Sequence, residues 1–374
     1  MTAAATRPKL EGITLEKDVR RVQKLGNASL GISIPKDWAI SRGIKAGSLL
    51  SMTIGDDGRI TLGGDTVGPS TFPVKCRIHA NNCPDEKLIM RTIIGCYIVG
   101  YNTIAVSSDK ELTVDQTKQV NMAVDRLTGV TVVEQTDNNM LLECMVQPPK
   151  FPLMSMIKRL FFQSSAMVER MLADAMHPDA GALRDVADLE MDVDRLYRLV
   201  LRLLLLGARD RDVAKQMGIE DSRHLLGDRA IAASLEFVAD LSEELVNEID
   251  AAGLHQSGKE QFKAETTVLL SMFHELSVST SSCLFERDLN AASAALDGAH
   301  ALQRTCWEGM KTLQNRQREE HGQREHLSVF YPLLYSGMRN IAKEYELIVQ
   351  VMMNRFIEKP SAKFPYLEIE EAAR

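Results

Sequence analysis

Beyond residue 150 the apolar positions recur at helical spacing with few interruptions. Val186, Leu189, Val193, Leu196, Val200 and Leu203 advance in steps of three and four, the seam of a helix bundle. Ile231, Val238, Leu241 and Leu245 keep the same rule, with Ser234 interrupting. The pattern predicts six long helices near 153–176, 180–206, 222–252, 258–286, 288–318 and 326–356, grouped as two three-helix bundles. His177-Pro178-Asp179, Gly207, Gly253, Ser257-Gly258 and His321-Gly322 mark the breaks. Gln147-Pro148-Pro149-Lys150-Phe151-Pro152 closes this body on its N-terminal side, because prolines so dense can continue neither a helix nor a sheet.

Upstream the period shortens. Phe72–Ile78, Thr103–Ser107, Val130–Gln135 and Met140–Met145 read as strands, separated by helices over Asp85–Val99 and Val114–Arg126. The order β-α-β-α-β-β predicts a two-layer sheet with helices on one face. Earlier still, Leu30–Ile34 alternates as a strand, Pro35 opens a short helix over Lys36–Arg42, and Gly43 ends it. Two strands, Leu49–Ile54 and Arg59–Leu62, then flank the turn Gly55-Asp56-Asp57-Gly58. The expected fold is therefore multidomain: a small β-rich module over 1–64, an α/β segment over 65–147, an all-α body over 151–356 and a tail over 357–374. A module this small closes a core poorly alone, and interlaced dimerisation is expected.

Composition adds little to that picture, but charge changes it. At 374 residues, with 45% hydrophobic and 25% charged side chains, the chain is of the globular class and long enough for two or three domains. No uncharged apolar run approaches a membrane span, and the N-terminus lacks the apolar core of a signal peptide; a cytoplasmic location is expected. The net charge of −7 conceals ten Lys/Arg against six Asp/Glu in residues 1–64. A basic module on an acidic body points to nucleic acid at the module alone. The 5% aromatic content favours duplex over stacked single strands. Cys76, His79 and Cys83 have ligand-like spacing, but only Cys96 is near enough to be a fourth ligand, so buried free thiols are the expected state.

Arg20-Arg21-Val22, Leu25-Gly26, Ile34-Pro35, Gly43-Ile44, Gly47 and the closing hairpin resemble the AbrB/MazE-type swapped-hairpin DNA-binding domain. The resemblance implies one β-rich dimer that meets double-stranded DNA through Arg20, Arg21 and Lys24, with Lys36 and Arg42 as helix candidates. Members often carry arginine where this chain has Asn27, Ala39 and Ile40.

On the helical body, Glu190 and Asp194 are four residues apart, as are Glu236 and Asp240. That spacing sets each pair on one stripe, and two facing stripes supply four oxygen donors suited to hard cations. The pairs lie off the apolar seams, so the expected ion sits on the outer face of the bundle. Asp194 is also placed to pair with Arg198. Paired three-helix bundles with these motifs resemble the PhoU family of phosphate-signalling regulators, which implies a divalent or ferric ion at Glu190, Asp194, Glu236 and Asp240. In the second half Asp297 is followed by Ala301, and Asn340 and Glu344 stand on the last helix, so no second site is expected. The combination resembles archaeal-type phosphate-uptake regulators. It implies a phosphate-responsive transcriptional regulator; the alternative is a cytoplasmic adaptor that contacts a phosphate transporter ATPase or a sensor kinase without binding DNA. No Walker-type loop occurs in the middle segment and no Glu-x-x-His pair in the chain, and an enzyme is not expected.

Overall fold

The computed structural model describes residues 19–358 apart from 27–28, 42, 55–59, 65–74, 84, 86, 177–181, 252–258 and 320–324. The chain divides into two compact units, Met1–Thr71 and Phe72–Arg374. A small β-rich module is thus followed by a mixed segment and a mostly helical body, as the patterning predicts.

In the first unit β1 (Gln23–Leu25) pairs antiparallel with β2 (Ser29–Gly31), Lys24 opposite Leu30. The sequence pattern places a strand over Leu30–Ile34 and none before it. The ladder instead stops at Gly31, because its partner is only three residues long. The helix α1 (Lys36–Ser41) begins after Pro35, whose carbonyl accepts from Ala39 N at 3.0 Å. Gly43 ends it with φ +66°, a left-handed turn that lets Ile44 N reach Ala39 O at 2.8 Å. The hairpin β3 (Leu50–Ile54) and β4 (Ile60–Gly64) follows in register from Leu50↔Gly64 to Ile54↔Ile60. Its turn, Gly55–Gly58, lies outside the described residues, as does Arg42.

The second unit opens with β5 (Lys75–His79), α2 (Lys87–Val99), β6 (Thr103–Ser107), α3 (Val114–Asp125), β7 (Val130–Thr136) and β8 (Asn139–Cys144). The strand order is β5-β6-β8-β7, with β5 and β6 parallel and the other pairs antiparallel; β7 carries a bulge between Val132 and Glu134. The start of α3 is set by a capping box: Thr113 Oγ1 accepts from Gln116 N at 3.1 Å, and Gln116 Oε1 accepts from Thr113 N at 3.0 Å.

The body consists of α4 (Leu153–Met176), α5 (Ala182–Arg209), the short α6 (Arg211–Gln216), α7 (His224–Ala251), α8 (Lys259–Ser281), α9 (Leu289–Glu319) and α10 (Glu325–Glu358). Helices α4, α5 and α7 pack together, as do α8, α9 and α10, and the two groups join through α4–α8 and α7–α10. An aromatic cluster fills the junction. Phe161 of α4 and Phe273 of α8 flank Tyr345 of α10 at 5.9 and 5.3 Å between centroids. The buried Tyr345 hydroxyl shares a 2.7 Å hydrogen bond with Ser165. Ser234, the polar interruption of the α7 seam, is buried and donates to Glu344 of α10 at 2.6 Å. Gly309 of α9 lets the Tyr335 ring lie flat on its backbone; a Cβ there would stand 2.4 Å from that ring. Among the described residues Lys263–Glu286 alone has the length and apolarity of a membrane span, and its Phe273, Leu276 and Cys283 are buried in this core.

Two helix boundaries differ from the pattern. Gly207 does not break α5; it packs against Met217 and Ile219, and the helix runs on to Arg209. Asp210 then caps the unanticipated α6, accepting from Asp212 N and Val213 N. The expected breaks near 177, 253, 257 and 321 lie outside the described residues.

The sheet layer is fastened to the body by α5. A helix leaves its last carbonyls short of amide partners, and arginines of α5 meet carbonyls at and just beyond the ends of α2 and α3. Tyr97 O is among them, although it also accepts from Gly100 N at 3.0 Å. Arg202, only 1% exposed, donates from Nη1 to Tyr97 O at 2.6 Å and Tyr101 O at 3.0 Å, and from Nη2 to Asn102 Oδ1. Its guanidinium stands 5.0 Å from the centroid of the Tyr97 ring. Arg209 reaches Val99 O at 3.0 Å, Arg195 reaches Asp125 O at 2.6 Å, and Arg198 reaches Arg126 O at 3.3 Å. Each carbonyl stripped of its donor in a buried setting costs ~1–3 kcal/mol. Arg202→Leu is therefore expected to lower unfolding stability by about 3 kcal/mol, measured by urea denaturation. A decrease of less than a third of that would mean that apolar packing alone holds the layer.

Candidate functional site

Two places carry the residues singled out above. In the first unit Arg20 and Arg21 precede β1, Lys24 is its central residue and Lys36 is the first residue of α1; all four are exposed. The segment leading into and along β1 thus presents three cations within five residues, and Lys36 stands on a separate element. Phosphate contacts need such exposed, positionally fixed cations. Around them the apolar side chains find no interior. Val22, Leu25, Leu30, Ile32, Ile40, Leu49, Met52, Ile54 and Ile60 are each more than half exposed, and no described side chain of this unit is buried.

In the second unit the spacing of four does bring the carboxylates of α5 and α7 into one electrostatic group. Glu190 is pushed up to about 7, first by burial and then by Asp194, Glu243 and Asp240. Burial, then Asp240 and Asp194, likewise push Glu236 up to about 7, against Arg198 and Arg229. Asp240 is raised by burial and by Asp194 and Glu243. Burial and the charge of Glu236 raise the Tyr197 hydroxyl. Glu243 is the member that the pairwise reading missed, although its place three residues after Asp240 puts it on the same stripe.

Arg198 engages Asp194 in the i, i+4 ion pair that the spacing allows, with both side chains under one-fifth exposed. Among the described residues no three of His, Cys, Asp or Glu converge to hold an ion. The donor set has the hard oxygens that magnesium, manganese or ferric iron takes; Arg198 is the cation that engages one of them, Asp194. At the candidate second site Glu344 is engaged by Ser234, and Asn340 Oδ1 accepts from Lys343 at 3.5 Å. Of the thiols, Cys76 shares a hydrogen bond with Cys96, and burial pushes it up to about 12; all six cysteines are free.

The raised carboxyls fix the sign of a pH dependence. Their ordinary value is 4.5 and their folded value about 7, so the folded chain holds more protons than the unfolded chain between those limits. Stability from these groups is complete below the unfolded value and falls as pH rises to about 7. Glu190→Gln with Glu236→Gln is expected to flatten the melting temperature against pH between these limits. With the carboxyls' partial exposure to solvent taken into account, the gain at pH 8 is about 2–4 °C. Unchanged pH profiles in the double variant would mean that the two carboxyls are effectively solvated.

Against known proteins, residues 23–63 match the family model of MazE, the bacterial antitoxin of antidote–toxin recognition. No curated protein and no solved structure matches the chain. The match runs from β1 into β4 and supports a MazE/AbrB-like N-terminal module.

Proposed function

We propose that the chain is a homodimeric, DNA-binding transcriptional regulator that acts in the cytoplasm and controls phosphate uptake. The observation that carries the reading is the MazE-type module, in which a basic strand accompanies apolar residues that one copy leaves uncovered. A second copy would cover them, as a two-fold dimer of hairpins. Duplex DNA would then meet Arg20, Arg21 and Lys24 from both copies, with Lys36 and Arg42 beside them. The phosphate link is supported more indirectly, by the likeness of two joined three-helix bundles with paired carboxylates to the PhoU family. Ala39 and Ile40 on α1, where arginines are common in AbrB/MazE domains, favour the second reading. In that reading the dimer is an adaptor for a phosphate transporter ATPase or a sensor kinase.

Binding of the purified chain to duplex DNA from upstream of its own coding sequence separates the two. The regulator reading expects affinity that falls between about 50 and 200 mM salt. In Arg20→Ala/Arg21→Ala the log–log slope should flatten by ~0.9 for each DNA phosphate that the variant no longer neutralises. Absence of binding at the lower salt favours the adaptor, and an unchanged slope moves the DNA face to Lys36 and Arg42. Sedimentation of the full chain is expected to give a dimer, which Leu30→Asp with Ile54→Asp converts to monomer.

A cation held by Glu190, Asp194, Glu236 and Asp240 belongs to the same proposal and requires Arg198 to leave Asp194. It predicts that manganese raises the melting temperature of the wild-type chain and leaves Asp194→Asn/Asp240→Asn unmoved, since only a ligand of the folded state stabilises it. Equal shifts in both chains place the ion elsewhere.

A further inference from the structure

Along α9 and α10, His300, Gln303, Arg304, Trp307 and Arg339 line an open groove of about 280 Å3 that neither the DNA module nor the carboxylate cluster uses. Trp307 is 46% exposed and carries two cations over its ring. Lys311 Nζ lies 5.2 Å from the centroid and the Arg339 guanidinium 5.1 Å. Among the described residues no carboxylate forms an ion pair with Arg304, Lys311 or Arg339. The neighbouring acid, Glu346, is already engaged. It accepts from Gln303 Nε2 at 2.8 Å and Gln350 Nε2 at 3.0 Å, and faces His300 Nε2 at 3.3 Å. Those bonds, Gln303 foremost, hold its carboxyl below the usual range, so it stays an anion already satisfied by its own donors.

We propose that this groove binds a small, multiply charged oxyanion of the phosphate class. Arg304 and Arg339 line the same groove and Lys311 shares the Trp307 ring with Arg339, none of them in an ion pair among the described residues, so an anion beside them gains favourable charge interaction. Arginine presents a planar fork of donors that matches phosphate oxygens, and a guanidinium on an aromatic face is partly stripped of water before the anion arrives. The groove lies just below the ~300–1,000 Å3 of pockets that enclose drug-sized molecules. That size suits inorganic phosphate or a terminal phosphoryl group, the rest of a larger molecule staying outside. Trp307 acts as the post against which Lys311 and Arg339 are set. The proposal is independent of the regulator reading, since it involves no residue of the DNA module.

Trp38 and Trp307 are the two tryptophans of the chain, so full-length Trp38→Phe reports the groove alone. Potassium phosphate, titrated at constant ionic strength against potassium chloride, is expected to change Trp307 fluorescence saturably, with a matching isotherm by calorimetry. Arg304 is exposed, so Arg304→Glu leaves the core intact; its melting temperature should hold while phosphate affinity falls by about tenfold or more. Arg339→Ala should weaken binding similarly. Adenosine triphosphate as a second probe separates the sources: tighter binding than phosphate identifies a terminal phosphoryl group, and weaker binding the free ion. A response equal to that of chloride, or wild-type affinity in Arg304→Glu, overturns the proposal. DNA binding by the same Arg304→Glu chain tests the regulator reading separately.

Discussion

The second unit depends on one electrostatic arrangement, the termination of α2 and α3 by arginines from α5. Helix ends carry partial negative charge on carbonyls that no amide of their own helix can reach. Here the ends of two helices of the sheet layer converge on one face of a third. Arg195, Arg198, Arg202 and Arg209 recur at steps of three, four and seven along that face. An apolar surface alone would let the layer slide over the bundle. Directional bonds to Tyr97, Tyr101, Asn102 and Val99 fix its position.

Arg198 belongs to two systems at once. It donates to the carbonyl of Arg126 at the end of α3 and it engages Asp194 within the carboxylate group. Any change of charge among Glu190, Glu236 and Asp240 is therefore felt by a side chain that also holds the sheet layer. The group can accept protons near neutrality because burial and mutual repulsion disfavour its full ionisation. Along α9 and α10 the balance is the opposite, with Arg304, Lys311 and Arg339 around Trp307. The overall −7 describes neither place.

Much of this was legible in the sequence, and the exceptions share a cause. Long amphipathic helices announce themselves because burial imposes their period over many residues, and the strands over Thr103–Ser107 and Val130–Thr136 do so through their β-branched residues. The carboxylate stripe was legible from the spacing of four, as was the Asp194–Arg198 pair. What could not be read was pairing between distant segments. Arg202 looks like a charge interrupting an apolar run until Tyr97 and Tyr101 are brought to it across about a hundred residues of chain. Ser234 looks like a flaw in its seam until Glu344 stands opposite. The strand β1 has too few residues to show any period, and Gly207 carries the signature of a stop where packing against Met217 calls for a small residue. The groove around Trp307 needs two helices side by side before its cations become neighbours.

The order β5-β6-β8-β7 leaves two strands with an open edge, and each is made unattractive to further strands. Lys75, Arg77 and His79 alternate along β5 as exposed polar positions, while β7 has its bulge beside Glu134. Charge along one rim and an irregular ladder on the other are the means by which sheets avoid adding neighbours. In the N-terminal unit charge lies along β1 at Lys24, whereas the described apolar residues of β3 and β4, among them Met52, Ile54 and Ile60, stay exposed in a single copy. Resistance to unwanted strand pairing is thus unevenly distributed along the chain. At high concentration, association should begin in the first unit and leave the four-stranded sheet intact.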